Sequence, residues 1–281
     1  MKDETMSNSE GPLVLGATAA DPKRAVLIWN AIRKYFVEAG FPVEYALFST
    51  YDAMSSALLA GHIDIAWNAP MAHAQLLEQN SGCRTLAMRD TDENVTSLLI
   101  VRADSDIETI EDLRGRDLAL GVETSSELWL LPVRQLLAEG LDVRNECSLI
   151  ELEATQYSDL QHWVDDRTIF EAVVNYSADA GIIFEPWLQP LLRKHGLEGD
   201  DIRTIWRTQS YAHCAFTSSP MLSEGNAQDF VELLLAMSSD DPAIAEMMRM
   251  EHLTKWVPAT DDGWSDLRSA IVDADLVGKV Y

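Results

Sequence analysis

Apolar positions along the chain alternate between two rhythms. Leu13-Val14-Leu15-Gly16-Ala17 is a short continuous apolar run, as in a strand buried on both faces, whereas Ala25, Ile28, Trp29, Ile32 and Phe36 recur at helical spacing between Pro22 and Ala39. The alternation repeats. Val43 to Phe48 reads as a strand, and Ser49-Thr50-Tyr51-Asp52 supplies capping groups for a helix that runs to Ala60 and stops at Gly61. Ile63 to Trp67 is a third strand; Asn68-Ala69-Pro70 turns the chain into a helix from Met71 to Gln79. Strands alternating with helices predict a largely parallel sheet covered on both faces.

A second series follows a longer strand at Val95 to Arg102 and a short helix that ends at Gly115. Asp117 to Val122 is its first strand, Thr124-Ser125-Ser126 caps a helix through Glu139-Gly140, and Leu149 to Leu152 is the next strand. Phe170 to Asn175 is helical in pattern, and Ala178 to Ile183 reads as a strand that emerges toward a ligand crevice. Ile202 to Arg207 and His213 to Thr217 are further strands, and the chain from Ala227 onward is mainly helical. Two such series predict an α/β protein of two lobes, each a mostly parallel sheet flanked by helices, with a ligand cleft between them.

Charge narrows the partners. With 46 acidic against 21 basic side chains in 281 residues, the formal charge of −25 opposes any general grip on nucleic acid or anionic lipid. The acids are spread in singles and pairs, such as Asp165-Asp166 and Asp200-Asp201, which reads as a solvated surface. No stretch has the apolar length of a membrane span, and residues 1–10 read as a flexible polar start without an export signal. The expected place is therefore the cytoplasm for the chain as it stands, or the periplasm or exterior if a signal has been removed.

Common chemical handles are missing. Cys83, Cys147 and Cys214 are far apart, the six histidines show no metal-ligand spacing, and phosphate-loop, nucleophile-elbow and dinucleotide fingerprints are absent, so no metal or cofactor is expected. His213 and Cys214 offer a base and a nucleophile, but neighbours on a strand point to opposite faces. His73 lies about a turn from the predicted crevice, where packing is the plainer role. Tyr51, Trp67, Trp129, Glu185 and Trp187 compose an aromatic and acidic set suited to a cation or zwitterion, although tryptophans at sheet edges commonly serve packing.

The run Tyr51 to Trp67 resembles the substrate-binding proteins of phosphate, phosphite and phosphonate ABC transporters. Further similar pieces are Ser97 to Arg102 with Ile110 to Gly115, the Thr124-Ser125-Ser126 turn ahead of Pro132, Phe170 to Val173 through Gly181, and the tail Trp256-Val257-Pro258 with Trp264 to Leu267. The resemblance implies a type 2 periplasmic-binding-protein fold, with residues 11–98 and 213–281 forming one lobe, 99–212 the other, and hinge strands near Thr96 to Arg102 and Tyr211 to Thr217. It also implies ligand contacts at Tyr51, Asn68, Thr96 and Ser97, and an acidic contact at Asp179. Thr124, Ser125 and Ser126 match the hydroxyl-rich helix start that holds phosphonate oxygens, where free N–H groups and the helix dipole suit an anion.

Three departures stand out. Glu127 replaces a glycine usual after the turn, a histidine usual before Ala172 gives way to the Arg167-Thr168 neighbourhood, and Phe184-Glu185-Pro186-Trp187 looks more like the sulfonate and thiamine-precursor binding proteins. The leading expectation is a non-catalytic protein that closes over a phosphonate-like oxyanion or zwitterion and serves an ABC permease or a regulatory partner. The alternative is a cytosolic enzyme of the same fold acting on a small metabolite.

Overall fold

The computed structural model describes residues 11–19, 21–152, 155–158, 161–163 and 165–278. The polar start at 1–10 lies outside them. Internal packing divides the chain into one unit of residues 1–92 with 214–261 and a second of 93–213 with 262–281, so the chain passes from one to the other after residues 92, 213 and 261.

The first unit holds a five-stranded sheet in the order Val43–Phe48, Leu13–Thr18, Ile65–Asn68, Ala215–Ser218, Arg84–Thr85. Its first three strands are parallel, as expected of β-loop-α units, and Ala215–Ser218 runs antiparallel to both neighbours. Helix Pro22–Glu38 buries the predicted face Ala25, Ile28, Trp29, Ile32 and Phe36, and the Phe36 ring stacks on Phe230 at 5.0 Å. Asp21 starts this helix by accepting from the N–H groups of Lys23 and Arg24. A short antiparallel pair, Ala87–Arg89 with Trp256–Pro258, adds to the unit.

The second unit holds a sheet in the order Ile202–Arg207, Ser97–Arg102, Ala180–Phe184, Asp117–Ala119, Ser148–Leu149. Ser97–Arg102 is antiparallel to both neighbours, and the last three strands are parallel. Each sheet is thus mixed, because one strand in each belongs to no βα unit and runs against its neighbours. A separate antiparallel pair, Thr155–Ser158 with Gln161–Trp163, carries no apolar alternation strong enough to have announced it.

Phe184 to Trp187, to which the sequence pattern assigns no element, is the start of helix Glu185–His195, with Pro186 in its first turn where a missing N–H costs nothing. Two expectations change. The stretch 211–217 is not one strand: Tyr211 bridges Val95 in the second unit, 212–214 are irregular, and Ala215–Ser218 belongs to the first sheet. Residues 262–278 group with the second unit rather than with residues 11–98, because Trp264 is fully buried there and its indole N–H donates to the His213 carbonyl at 2.9 Å.

Candidate functional site

In the second unit the carboxyl ends of the parallel strands Asp117–Ala119 and Ala180–Phe184 point the same way, the arrangement that gathers ligand groups in α/β sheets. After the first of them comes the turn at 120–125, then a wide helical turn, Ser126–Leu130, in which the Leu130 N–H reaches back five residues to the Ser125 carbonyl at 2.8 Å. The helix then continues as Leu131–Ala138. Gly121 permits the turn to fold back on itself, since a Cβ there would stand 2.5 Å from Leu128 Cβ. Ser125 caps the segment, its Oγ accepting from the Leu128 N–H at 3.1 Å.

Helix Asp166–Val174 lies close on strand Ala180–Phe184 because Gly181 leaves room: a Cβ there would come within 2.7 Å of Ile169 Cγ2. That approach brings the Asp166 carboxylate to the Phe184 N–H at 2.6 Å. Beside it, Ser97 pairs with Phe184, donates from Oγ to the Glu127 carbonyl at 2.6 Å, and meets the Tyr211 hydroxyl at 2.8 Å. Thr208 and Ser97 are tied by two bonds, with the Ser97 N–H on Thr208 Oγ1 at 2.9 Å and the Thr208 N–H on the Ser97 carbonyl at 3.0 Å. Thr96 donates to the Glu185 carboxylate, Ser126 donates to the Glu127 carboxylate, and the Arg207 guanidinium stands 3.6 Å from Glu185. The His213 ring stacks on Phe184 at 4.7 Å.

Charge and burial in this cluster shift two groups. Burial first, then the charges of Glu127 and Asp165, push Asp166 up to about 7, while the Phe184 N–H and its own N–H pull the other way. Part of Asp166 still meets solvent, but most of what surrounds the carboxyl is protein. Tyr211 is buried, and its hydroxyl is raised well above its ordinary value by burial and by the charges of Glu127 and Asp166, against the bond to Ser97.

Of the residues singled out in the sequence, the second unit therefore brings together Thr96, Ser97, Ser125, Ser126, Glu185 and His213. Thr124 precedes the cap and is half-buried. Asp179 is not with them. It stands before the opposite end of Ala180–Phe184, roughly 16 Å along the strand at 3.3 Å per residue, and ties the start of two strands by accepting the Asp117 N–H at 3.0 Å. Trp187, 50% exposed, projects from its helix, and Trp129 is buried with the Arg144 guanidinium over its ring, so the two do not form a shared aromatic wall. Asp166, Tyr211 and Thr208 belong to the cluster and were not among the sequence candidates.

In the first unit, Tyr51 opens helix Tyr51–Leu59 behind the cap Thr50 and packs in part on the Met54 and Leu58 cluster. Asn68 ends its strand fully buried; its Nδ2 donates to Thr217 Oγ1 at 2.7 Å. His73 is also buried, with Nδ1 2.7 Å from Thr217 Oγ1 and Nε2 3.0 Å from Thr85 Oγ1, so both ring nitrogens are engaged in holding the sheet. Trp67 packs edge-on against Trp256 at 5.5 Å and beside Phe216 at 4.7 Å, a packing role. Cys214 follows His213 in the irregular stretch 212–214, so the pair lies on no strand. Thr217→Val is expected to cost about 1–3 kcal/mol, because it leaves the buried Asn68 amide and the His73 ring each one partner short. Thr217→Ser, which keeps the hydroxyl, is expected to lose less than half as much in denaturant titration, and equal losses would remove the hydroxyl's role.

The fold, two α/β units with mixed sheets flanked by helices, is that of the two-lobed periplasmic binding proteins. The chain belongs to the family of phosphonate-binding periplasmic substrate-binding proteins of ABC transporters, whose model matches residues 16–264. It is 22% identical over 249 residues to the phosphate-import protein PhnD of Mycolicibacterium smegmatis, covering 82% of this chain and 75% of that one. Among solved structures it is similar to PhnD1 of Prochlorococcus marinus in complex with methylphosphonate, with a TM-score of 0.68 and 15% identity, over 94% of this chain and 98% of that one. It is similar as well to the aliphatic sulphonate binding protein SsuA of Escherichia coli, with a TM-score of 0.60 and 14% identity, over 96% and 95% of the two chains. No helix among the described residues is long and apolar enough to cross a membrane.

Proposed function

We propose that this protein captures a small phosphorus oxyanion, a phosphate or a phosphonate, on the outer side of the cytoplasmic membrane and delivers it to the permease of an ABC transporter. Family membership over residues 16–264 supports the role, and the M. smegmatis and P. marinus relatives, by their names, handle phosphate and methylphosphonate. The observation that carries the site is the buried turn Ser125-Ser126, 5% and 2% exposed, at the start of a helical segment beyond the carboxyl ends of parallel strands. The first N–H groups of such a segment lack partners within it and attract negative charge. Ser97, at the start of strand Ser97–Arg102, reaches the same segment by donating to the Glu127 carbonyl, and Thr96, just before that strand, donates to the Glu185 carboxylate.

The test is calorimetric titration with phosphate and methylphosphonate. Replacing both hydroxyls, Ser125→Ala with Ser126→Ala, is expected to weaken binding by about 1–3 kcal/mol, the scale of lost bonds to a charged group. The circular dichroism of the folded protein should persist. Unchanged affinity in the double variant moves the ligand elsewhere.

A further inference from the structure

Strand Ser97–Arg102 runs from the candidate site to the far end of the second sheet, where Arg102 stands roughly 16 Å from Ser97 at 3.3 Å per residue. There Arg102 and the turn after helix Asp166–Val174 line an open cavity of about 290 Å³, which shares no residue with the Ser125-Ser126 turn. The Arg102 side chain is 15% exposed, and its Nη1 donates to two backbone carbonyls, Val173 at 2.7 Å and Ala178 at 2.9 Å, which fix the plane of the guanidinium. Its other edge is uncommitted. Among the described residues Nη2 makes no hydrogen bond and Nε is buried without one, with Asp104 Oδ1 standing 3.5 Å away. Tyr176 covers the guanidinium: Arg102 Cζ lies 4.0 Å from the ring centroid, and the Tyr176 hydroxyl donates to Asp104 Oδ2 at 3.1 Å. Tyr176 follows the Asn175 cap, where the chain turns left-handed at φ 61°, a conformation in which glycine is usual and a bulky side chain is strained. Such strain persists where a site needs the side chain. Here the ring remains largely exposed at the cavity.

We infer that this cavity is a second ligand site, independent of anion capture, for a zwitterion of the apolar amino-acid type. The ligand carboxylate takes the Nε–Nη2 edge of Arg102, the paired geometry for which a guanidinium is suited. Asp104 gives up only a 3.5 Å contact to admit it. The ligand ammonium faces Asp104 and Asp201, two exposed carboxylates of the lining, and its apolar side chain lies on Val174, Leu197 and the Tyr176 ring. A carboxylate alone meets the like charge of the two aspartates, and an amine alone meets Arg102, so the two charges are needed together.

The experiment titrates leucine and phenylalanine into the isotope-labelled whole protein and follows its amide resonances, with 4-methylpentanoate and 3-methylbutylamine as the acid and the amine that each carry half of leucine. Shifts are expected to cluster at 102–104, 174–178 and 197–202, with excess methylphosphonate present as in its absence. Each half-ligand is expected to bind at least about tenfold more weakly than leucine, the scale of one lost bond between charged groups. Arg102→Lys keeps the charge and loses the paired edge, so it should weaken leucine about tenfold and leave methylphosphonate binding unchanged. Asp104→Asn should weaken leucine and strengthen 4-methylpentanoate, opposite changes that a loss of packing does not produce. Because Asp104 is exposed, this variant decides the matter even where Arg102→Lys fails to fold. Absence of shifts with both amino acids overturns the inference, as do shifts at 124–130 in place of the cavity, parity of leucine with 4-methylpentanoate, or an Asp104→Asn variant that moves both ligands in one direction. Leucine bound at the cavity by a protein that ignores methylphosphonate would sustain this site and remove the anion-capture reading alone.

Discussion

Asp166→Asn is expected to raise the stability of the protein at pH 8 and to leave it unchanged below pH 4. In the unfolded chain this carboxyl releases its proton near 3.8, whereas burial and the neighbouring Glu127 and Asp165 charges hold it to about 7 in the folded protein. Between those values the folded state carries a proton that the unfolded state has lost, so stability falls as pH rises through the window and is level on either side of it. A difference of about three pK units sets a ceiling near 4 kcal/mol, and the carboxyl's partial contact with solvent brings the expected gain down to about 2 kcal/mol. Asparagine keeps an oxygen for the Phe184 N–H and loses only the charge. Melting curves of the two proteins at pH 4, 6 and 8 are expected to diverge steadily as pH rises. Parallel curves, or a variant less stable at pH 8, would show that Asp166 is not strained by its surroundings.

Asp166 also shows where legibility in the sequence ends. The pair Asp165-Asp166 looked like any other solvated acidic pair, and nothing in local pattern distinguishes an acid at a helix start that caps outward from one that turns inward. The distinction depends on Gly181, fifteen residues away, whose missing side chain lets the helix settle on the strand. Long-range approach of this sort leaves no periodic trace. By contrast, the buried face of helix Pro22–Glu38 is readable to the residue, because its apolar stripe acts within a single element. The Ser125-Ser126 turn was readable for the same reason: a cap is local chemistry. Asp179 misled because a residue beside a strand can stand at either end, and only the register, Ala180 against Val101 and Phe184 against Ser97, tells which end faces the turn. Helix Glu185–His195 was hidden by two prolines: Pro186 is harmless in the first turn and Pro190 interrupts the pattern from within.

The largest loss of stability is expected from Trp264→Ala, at about 3–5 kcal/mol, the range for removing a fully buried aromatic side chain. Trp264 is where the chain re-enters the second unit. Its indole N–H donates to the His213 carbonyl at 2.9 Å, and the adjoining backbone closes the junction, with the Ala212 N–H on the Gly263 carbonyl at 2.9 Å. From there helix Ser265–Asp273 buries Leu267, Ala270 and Ile271, and Asp266 accepts from Arg134 at 3.1 Å and Gln135 at 2.7 Å. His213 in turn stacks on Phe184, whose N–H meets Asp166, so the junction supports one side of the candidate site. Trp264→Ala should therefore unfold the second unit at lower denaturant than the first and expose 262–278 to protease before any cut appears in 11–92. Ligand affinity should fall with it even where the protein remains folded. Trp264→Phe keeps the packed ring and gives up one hydrogen bond, which sets its expected loss at about 1 kcal/mol. A loss that small in Trp264→Ala, with the tail still resistant to protease, would mean that residues 262–278 contribute no more to this unit than a covering strap. The observed burial predicts the opposite, because a terminal segment tied by a buried indole, two carboxylate bonds and three apolar side chains is part of the core it closes.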